Sequence, residues 1–392
     1  MSFPDTGLSV SLQVEDGAVA AIQIRSGRLV QASRMLAGRS PAQVSAILPS
    51  IYALCGTAQA LAGATAMEQA LGLPPPSPAL RMARRYLVMV ETLTEHAQSI
   101  LRDWPDLLGE RADLNAVKPL RPMVATARRI LFPDGDWAKV GGGRLAPDRS
   151  ALAEQTRLLA DMVARLFIGA RDEWEEDPQL FHAWASRTEC VAARLLHRIT
   201  ESGLSGFGNV QSSHFMPAAG PRDLETRLAA DHNGDYVARP DCADIPLETS
   251  PLSRQRGHPL VAALMTDHGS GLMPRLAARL VDVAAALREV EELVQDLCDA
   301  CPPVIPWQDS GTGMSMIDAA RGLLVHRVEL EEGLVRRYQI LAPTEWNFHP
   351  QGAFSQGLMG AKAGPDLAWR ARLLAAALDP CVSCQIEVMD HA

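Results

Sequence analysis

The sequence predicts a mainly helical α+β protein with small antiparallel β patches. Three observations lead there. Residues 41–103 and 272–299 are rich in apolar residues at helical spacing, clearest in LMPRLAARLVDVAAALREVEELVQDLCD. Residues 8–34 alternate with period two instead, broken at Asp16-Gly17 and Ser26-Gly27, which are hairpin dipeptides. The alternation returns in GLLVHRVELEEGLVRRYQILAP, around Glu332-Gly333.

Taken in order, residues 8–34 hold two or three antiparallel strands. Residues 41–72 read as helix, punctuated only around Cys55 and Gly56. LPPPSP at 73–78 ends it, because proline lacks the backbone donor and fixes φ. A second amphipathic helix covers 79–103. PDGDWAKVGGGRLAPD at 133–148 is a loop by composition. Its glycines lack the strand–turn–helix setting of a dinucleotide fingerprint, so no nucleotide is expected there. Residues 149–202 are helical, with RDEWEEDP at 171–178 reading as a solvated helix face. Residues 203–258 are rich in Gly, Pro and Asp and read as irregular. One unit spanning 1–392 results: a β-hairpin region at about 8–34, a helical core at about 41–300, a β-hairpin at about 323–342, and a C-terminal helix with a C-x-x-C tail at 364–392.

The totals exclude several function classes. The chain has 392 residues, 47% of them hydrophobic, enough for a sizeable core. Only 21% are charged and the net charge is −9, so no basic face for nucleic acid is expected. No apolar run reaches the ~18 residues of a spanning helix, and MSFPDTGLSV lacks a basic n-region, so a cytoplasmic protein without membrane insertion is expected. Seven scattered cysteines do not form a disulfide framework. They read as metal ligands, reactive thiols or buried fillers.

Two C-x-x-C pairs put two sulfurs within reach of one metal or of each other. Cys298 and Cys301, in LCDACPP, read as buried or half-buried helix-end residues, since free cysteine is among the most buried types. Cys381 and Cys384, in DPCVSC, have no apolar stripe beyond them, and Asp379 would make a nearby thiol more basic. A metal-ligand role fits them better than nucleophilic catalysis. Cys55 opens a helix, which favours a thiolate, and Gly56 allows close backbone approach. A small core residue is the bland alternative. His96 reads as a core histidine. His326 and His349 have no partner at ligand spacing. Trp346 and Asn347 read as packing and backbone-satisfying residues.

Taken together, these stretches resemble the large subunit of NiFe-hydrogenases. Asp379, Pro380, Cys381 and Cys384 match that family's late motif D-P-C-x-x-C-x-x-H, and Cys55-Gly56 match its early motif R-x-C-G-x-C-x-x-x-H. VGGG at 140–143, ETSPLSR at 248–254, DAARG at 318–322 and YQILAPTEWNFHP at 338–350 are similar to further family stretches, in the right order. The resemblance implies a trimmed large-subunit-like fold. It also implies a metal site at Cys55, Cys381 and Cys384, with Arg321 beside the cyanide and carbonyl ligands of an iron, and backbone groups near Pro343 and Thr344 as further donors.

The departures decide the expected function. Ala58 stands where the early motif has its second cysteine, and Ala62 where it has its histidine. Ala53 replaces the arginine, Glu387 the closing histidine and Ala320 the proline of E-A-P-R-G. His391 stands at the wrong offset to substitute. A methyl group cannot ligate metal, so one bridging sulfur is missing, and neither nickel nor hydrogen turnover is expected. The pattern is similar to accessory proteins of the HupK/HoxV type. For such a protein the resemblance implies a non-enzymatic scaffold that transiently holds an Fe(CN)2(CO) fragment, with an atypical active large subunit or a metal-free structural homologue as the alternatives. Its partners would be the maturation proteins that build or deliver the fragment and the hydrogenase large-subunit precursor.

Overall fold

The computed structural model describes residues 7–27, 30–52, 54–168, 174–300 and 308–390. Strands β1 (Leu8–Glu15) and β2 (Ala18–Ser26) form the expected hairpin, pairing from Leu8↔Ser26 to Glu15↔Ala18. Its turn places Asp16 at φ 50° and Gly17 at φ 74°, which matches the right-handed twist of the strands. Leu8, Val10, Leu12 and Val14 all point into the core, as period two requires.

The third strand of this sheet does not come from residues 27–34, where Val30–Leu36 instead form a 3-10 turn. It comes from the other end of the chain. After α1 (Pro41–Ile51), α2 (Gly56–Ala70) and α3 (Pro78–Leu107) come α4 (Leu114–Val117), α5 (Met123–Leu131) and α6 (Arg149–Val163). Helices α7 (Pro178–Arg187), α8 (Val191–Glu201), α9 (Leu224–Ala230), α10 (Asp235–Ala238), α11 (Pro251–Gln255), α12 (Pro259–His268) and α13 (Leu272–Asp296) follow. A second sheet, β3 (Gly311–Ala319), β4 (Gly322–Glu331) and β5 (Leu334–Leu341), precedes α14 (Pro343–Asn347), α15 (Ala353–Leu358), α16 (Leu367–Leu378) and β6 (Cys384–Asp390). Strand β6 lies parallel to β1, Leu8 facing Cys384, so the first sheet has the order β2-β1-β6 and is mixed. The small antiparallel patches expected are present, and β6 adds one parallel pairing to the first of them. A hairpin leaves one edge of β1 open, and the alternating CQIEVMD closes it.

The second sheet, β3-β4-β5, is antiparallel, and its β4–β5 turn uses Glu332 at φ 51° and Gly333 at φ 73°. The segment GTGMSMIDA was not expected as a strand, because glycine is a poor strand former. The glycines are there for packing. A Cβ on Gly311 or Gly313 would run into the backbone of α2, at Ala70 and Ala66.

Helix α2 is buried on almost every side, clasped by α1, α3 and the second sheet, as suits a helix of Ala, Gly and Leu. Proline at the first position of α3 and the Ser77 cap, which accepts from Leu80 N at 3.2 Å, start that helix. Helix α3 then crosses the main core, packing on α13, α5 and α8. The segment at 171–178 differs from its expected reading. Residues 171–173 lie outside the described residues, Trp174 is buried in an aromatic group with Phe181 and Trp184, and Asp177 caps α7.

Candidate functional site

The site begins at the N-terminus of α2. Helix starts leave N–H groups without partners, and here two of them find one on another helix. Glu91 of α3 accepts from Thr57 N at 2.6 Å and Ala58 N at 2.8 Å. Thr57 Oγ1 also receives Arg128 Nη2 at 2.6 Å, and that guanidinium lies 3.9 Å over the Trp137 ring. Burial raises the Glu91 carboxyl, while the bonds from Thr57 and Ala58 pull it back. The Cys55 side chain, at the cap position, makes no capping bond and is left for other work.

Burial pushes the Cys55 thiol up to about 12, reinforced by Cys381 and Glu91, while Arg321 and Gln59 act the other way. The expectation that a helix N-terminus makes this sulfur a thiolate is therefore corrected. Desolvation of this half-buried sulfur outweighs the partial charge of the helix end. A metal cation bound to this sulfur would offset that cost and favour the thiolate.

Cys381 comes from the far end of the chain. Helix α16 ends at Leu378, and Asp379 at φ 51° turns the backbone into Pro380. Thr344 Oγ1, in α14, lies 3.4 Å from both the nitrogen and the sulfur of Cys381. Asp379 is fixed by three elements. Its Oδ1 accepts from Ser99 Oγ at 2.9 Å. Its Oδ2 lies 3.2 Å from Arg321 Nε and 3.6 Å from Arg279 Nη2. Arg321 Nη1 in turn donates to Glu95 Oε2 at 2.8 Å. Burial opposes the charge on Arg321, yet Asp379, Glu95 and Cys381 together raise its pKa and hold it cationic. Burial pushes Glu95 up to about 7 despite Arg321. The Asp379 carboxylate is thus engaged by two buried arginines.

The structure thus brings Cys55, Cys381, Arg321 and Thr344 into one electrostatic neighbourhood, with Pro343 opening α14 beside them. Cys384 is placed differently. It opens β6, beside Leu8, whose N donates to Ser383 O at 2.7 Å, and burial pushes its thiol up to about 11. Among the described residues no three of His, Cys, Asp and Glu converge as a metal-holding group.

The departing positions are built into the fold. Ala58 and Ala62 are fully buried in α2, and Ala62 O accepts from Ser315 Oγ at 2.6 Å. Ala320 O accepts from Arg254 Nη2 at 3.0 Å. Glu387 is exposed on β6 opposite Ser11. Ala53 and His391 lie outside the described residues. Cys298 is exposed beyond the end of α13, which corrects its reading as a buried residue, while Cys301 lies outside the described residues.

Of the remaining residues, His96 is a core histidine as expected, bonded to Asp282 at 3.0 Å. Asn347 clasps the Thr249 backbone on both sides, at 2.9 and 2.7 Å. His349 accepts from Gln351 N at 3.0 Å. His326 was expected to have no partner at ligand spacing, and the structure gives it hydrogen-bond partners from other elements. Its Nδ1 lies 2.8 Å from Tyr338 OH and its Nε2 2.8 Å from Gln59 Oε1, while Gln59 Nε2 lies 3.6 Å from Cys55 Sγ. Glu91, Glu95 and Gln59 were not singled out from sequence. The only signal was spacing: 55 and 59, and 91 and 95, are each one helical turn apart.

Residues 260–387 match the family model described as nickel-dependent hydrogenase. The NiFeSe hydrogenase of Desulfomicrobium baculatum has a similar fold, with a TM-score of 0.68 at 16% identity, covering 95% of each chain. The hydrogenase expression/formation protein HupV of Azotobacter chroococcum is 30% identical over 98% of this chain and 99% of its own length. HupK of Rhizobium leguminosarum is 26% identical over 98% and 97%, and HoxV of Cupriavidus necator 28% over 91% and 90%. The chain belongs to the HupV/HupK/HoxV family of hydrogenase expression/formation proteins.

Proposed function

We propose that the chain is an accessory scaffold of hydrogenase maturation, without catalytic turnover. It takes up an Fe(CN)2(CO) fragment as cargo and passes it to the hydrogenase large-subunit precursor. Its relatives are named as expression/formation proteins, which supports the general role. The observation that carries the specific reading is the pairing of Cys55 with Cys381 beside Arg321 and Thr344, while position 58 is a buried methyl.

The chemistry follows from that inventory. The diatomic ligands fill much of the iron's coordination shell, so two or three thiolates from Cys55, Cys381 and Cys384 suffice. Desolvation raises the Cys55 and Cys384 thiols and favours their protonated forms, and loading then releases protons. The Arg321 guanidinium, the Thr344 hydroxyl and backbone groups near Pro343 supply donors for cyanide nitrogens. With Ala58 in place of a bridging cysteine, the acceptor subunit offers more sulfur ligands than this chain, and transfer runs downhill. Nickel, which needs the full cysteine set, is not held. No helix among the described residues is long and apolar enough to cross a membrane, in line with assembly in the cytoplasm.

The test is anaerobic purification from cells expressing the maturation genes, followed by infrared spectroscopy and metal analysis. Cyanide and carbonyl stretches with iron and no nickel are expected, and Cys55→Ala or Cys381→Ala should abolish them. A wild-type protein without these bands, together with normal hydrogenase maturation in a deletion strain, would sink the reading. Nickel with hydrogen uptake would instead identify an atypical large subunit.

A further inference from the structure

Cys55, Gln59 and Gly63 recur at every fourth residue and so lie along one face of α2. That face meets His326 of β4 and Tyr338 of β5, and the contacts form a single chain of hydrogen bonds, Tyr338–His326–Gln59–Cys55. All of its members are withdrawn from bulk water to differing degrees, and His326 is fully enclosed.

The direction of the chain follows from its chemistry. Burial holds the His326 imidazole neutral, its pKa lowered to about 3, so the ring carries one N–H. Gln59 turns its carbonyl oxygen to His326 Nε2 and its amide nitrogen to the Cys55 sulfur. The proton therefore sits on Nε2, and Nδ1 accepts from the Tyr338 hydroxyl. Every donor points toward the sulfur. A metal-bound sulfur carries no proton and can only accept, which is the role this orientation assigns to it.

The fold makes room for the arrangement. A Cβ on Gly63 would come within 2.6 Å of the Tyr338 hydroxyl and 3.6 Å of His326 Nδ1. Ala58, one residue from Gln59, offers neither a second thiolate nor a donor.

We propose that Gln59, aimed by His326 and Tyr338, donates a hydrogen bond to the Cys55 sulfur and so sets how tightly that sulfur holds an electron-rich iron fragment. A hydrogen bond to a thiolate withdraws charge that would otherwise go to the metal, and partners around a ligand tune both affinity and electronics. Cys55 becomes a weakened anchor, which suits cargo that must leave. Gln59 is a positioning residue in this account. The inference rests on the carrier role proposed above.

Two measurements test it separately from that role. The first needs no metal. Nitrogen-15 NMR of histidine-labelled full-length protein, with His326→Gln to assign the signal, should show the Nε2–H tautomer at His326. An Nδ1–H tautomer reverses the chain and overturns the inference. The second compares the carbonyl stretch of iron-loaded wild type with that of loaded Gln59→Leu. The variant's band should move to lower wavenumber, and its transfer of iron to large-subunit precursor should slow several-fold. Tyr338→Phe, which keeps the ring packing, should move the band the same way by less, and it carries the test if Gln59→Leu does not fold. If wild type loads but neither variant moves the band, this inference fails while the carrier role stands. If wild type loads no iron-cyanide species, the carrier role fails and takes the inference with it.

Discussion

His326 and Glu95 are both buried in the neutral direction, and their effects on stability oppose each other. The unfolded histidine titrates near 6.5 and the folded one at about 3. Between those values the unfolded chain binds the extra proton, so His326 lowers stability as pH falls, by up to about 1.4 kcal/mol per unit. Glu95 titrates near 4.3 unfolded and at about 7 folded. Between those values the folded chain binds the extra proton, so Glu95 lowers stability as pH rises, with the loss complete above 7. Urea midpoints at pH about 4.5, 5.5 and 6.5 separate the two. His326→Asn should tilt the profile toward greater stability at low pH, and Glu95→Gln the opposite way. Identical slopes in both variants and wild type would contradict these protonation states. Asp379→Asn removes the anion shared by Arg321 and Arg279 and should cost about 3–5 kcal/mol, as for other broken buried pairs. A loss under about 1 kcal/mol would mean that solvent reaches the cluster. At this scale the nearness of Cys55, Cys381, Arg321 and Thr344 was legible in the sequence, because they stand in motifs. Glu91, Glu95 and Gln59 were not. They are ordinary polar residues of helices, and their meaning comes from partners on other elements.

Among the elements, the long helices and both hairpins were legible, because their signals are local: apolar periodicity, a proline stop, an Asp-Gly or Glu-Gly turn. Strands β3 and β6 were not. Strand β3 has glycines where a strand former is expected, and strand β6 has its partner at the opposite end of the chain. The glycines of β3 are answered by α2, whose backbone they allow to sit against the sheet. Gly313→Ala should therefore destabilise by more than the usual propensity difference, by about 1–3 kcal/mol through overpacking. Gly333→Ala makes the contrast, since the turn there is open and only its φ of 73° is strained. If Gly313→Ala raised the unfolding midpoint, the close packing of α2 on β3 would be wrong. The same packing places His326 and Tyr338 against Gln59, so this variant should also disturb the His326 ring signal, which Gly333→Ala should leave unchanged.

Across the whole molecule, β1 and β6, far apart in sequence, pair next to the site. The hairpin β1–β2 offers an open edge, and β6 fills it, so the short segment Cys381–Ser383 is held at both sides. On one side Asp379 is locked to α3, α13 and Arg321. On the other, Ser383 accepts from Leu8 and the strand continues to Asp390. A site built this way depends on a strand that carries no ligand beyond Cys384. Ending the chain after Cys384 removes the β6 ladder and leaves β1 with an unpaired edge. Each exposed β1 amide then loses a bond worth about 1 kcal/mol, and its hydrogen exchange should speed up by roughly fivefold, read by mass spectrometry on peptides covering residues 8–15. Protection of β4 and β5, in the other sheet, should hold. Iron loaded on the truncated chain should be lost faster than from wild type, although every proposed ligand is still present. Glu387→Lys, on the exposed face of β6, should change neither quantity. Unchanged exchange in β1 after truncation would mean that β6 does not pair there in solution. Faster exchange with unchanged iron retention would mean that the Asp379 cluster alone holds Cys381 in place.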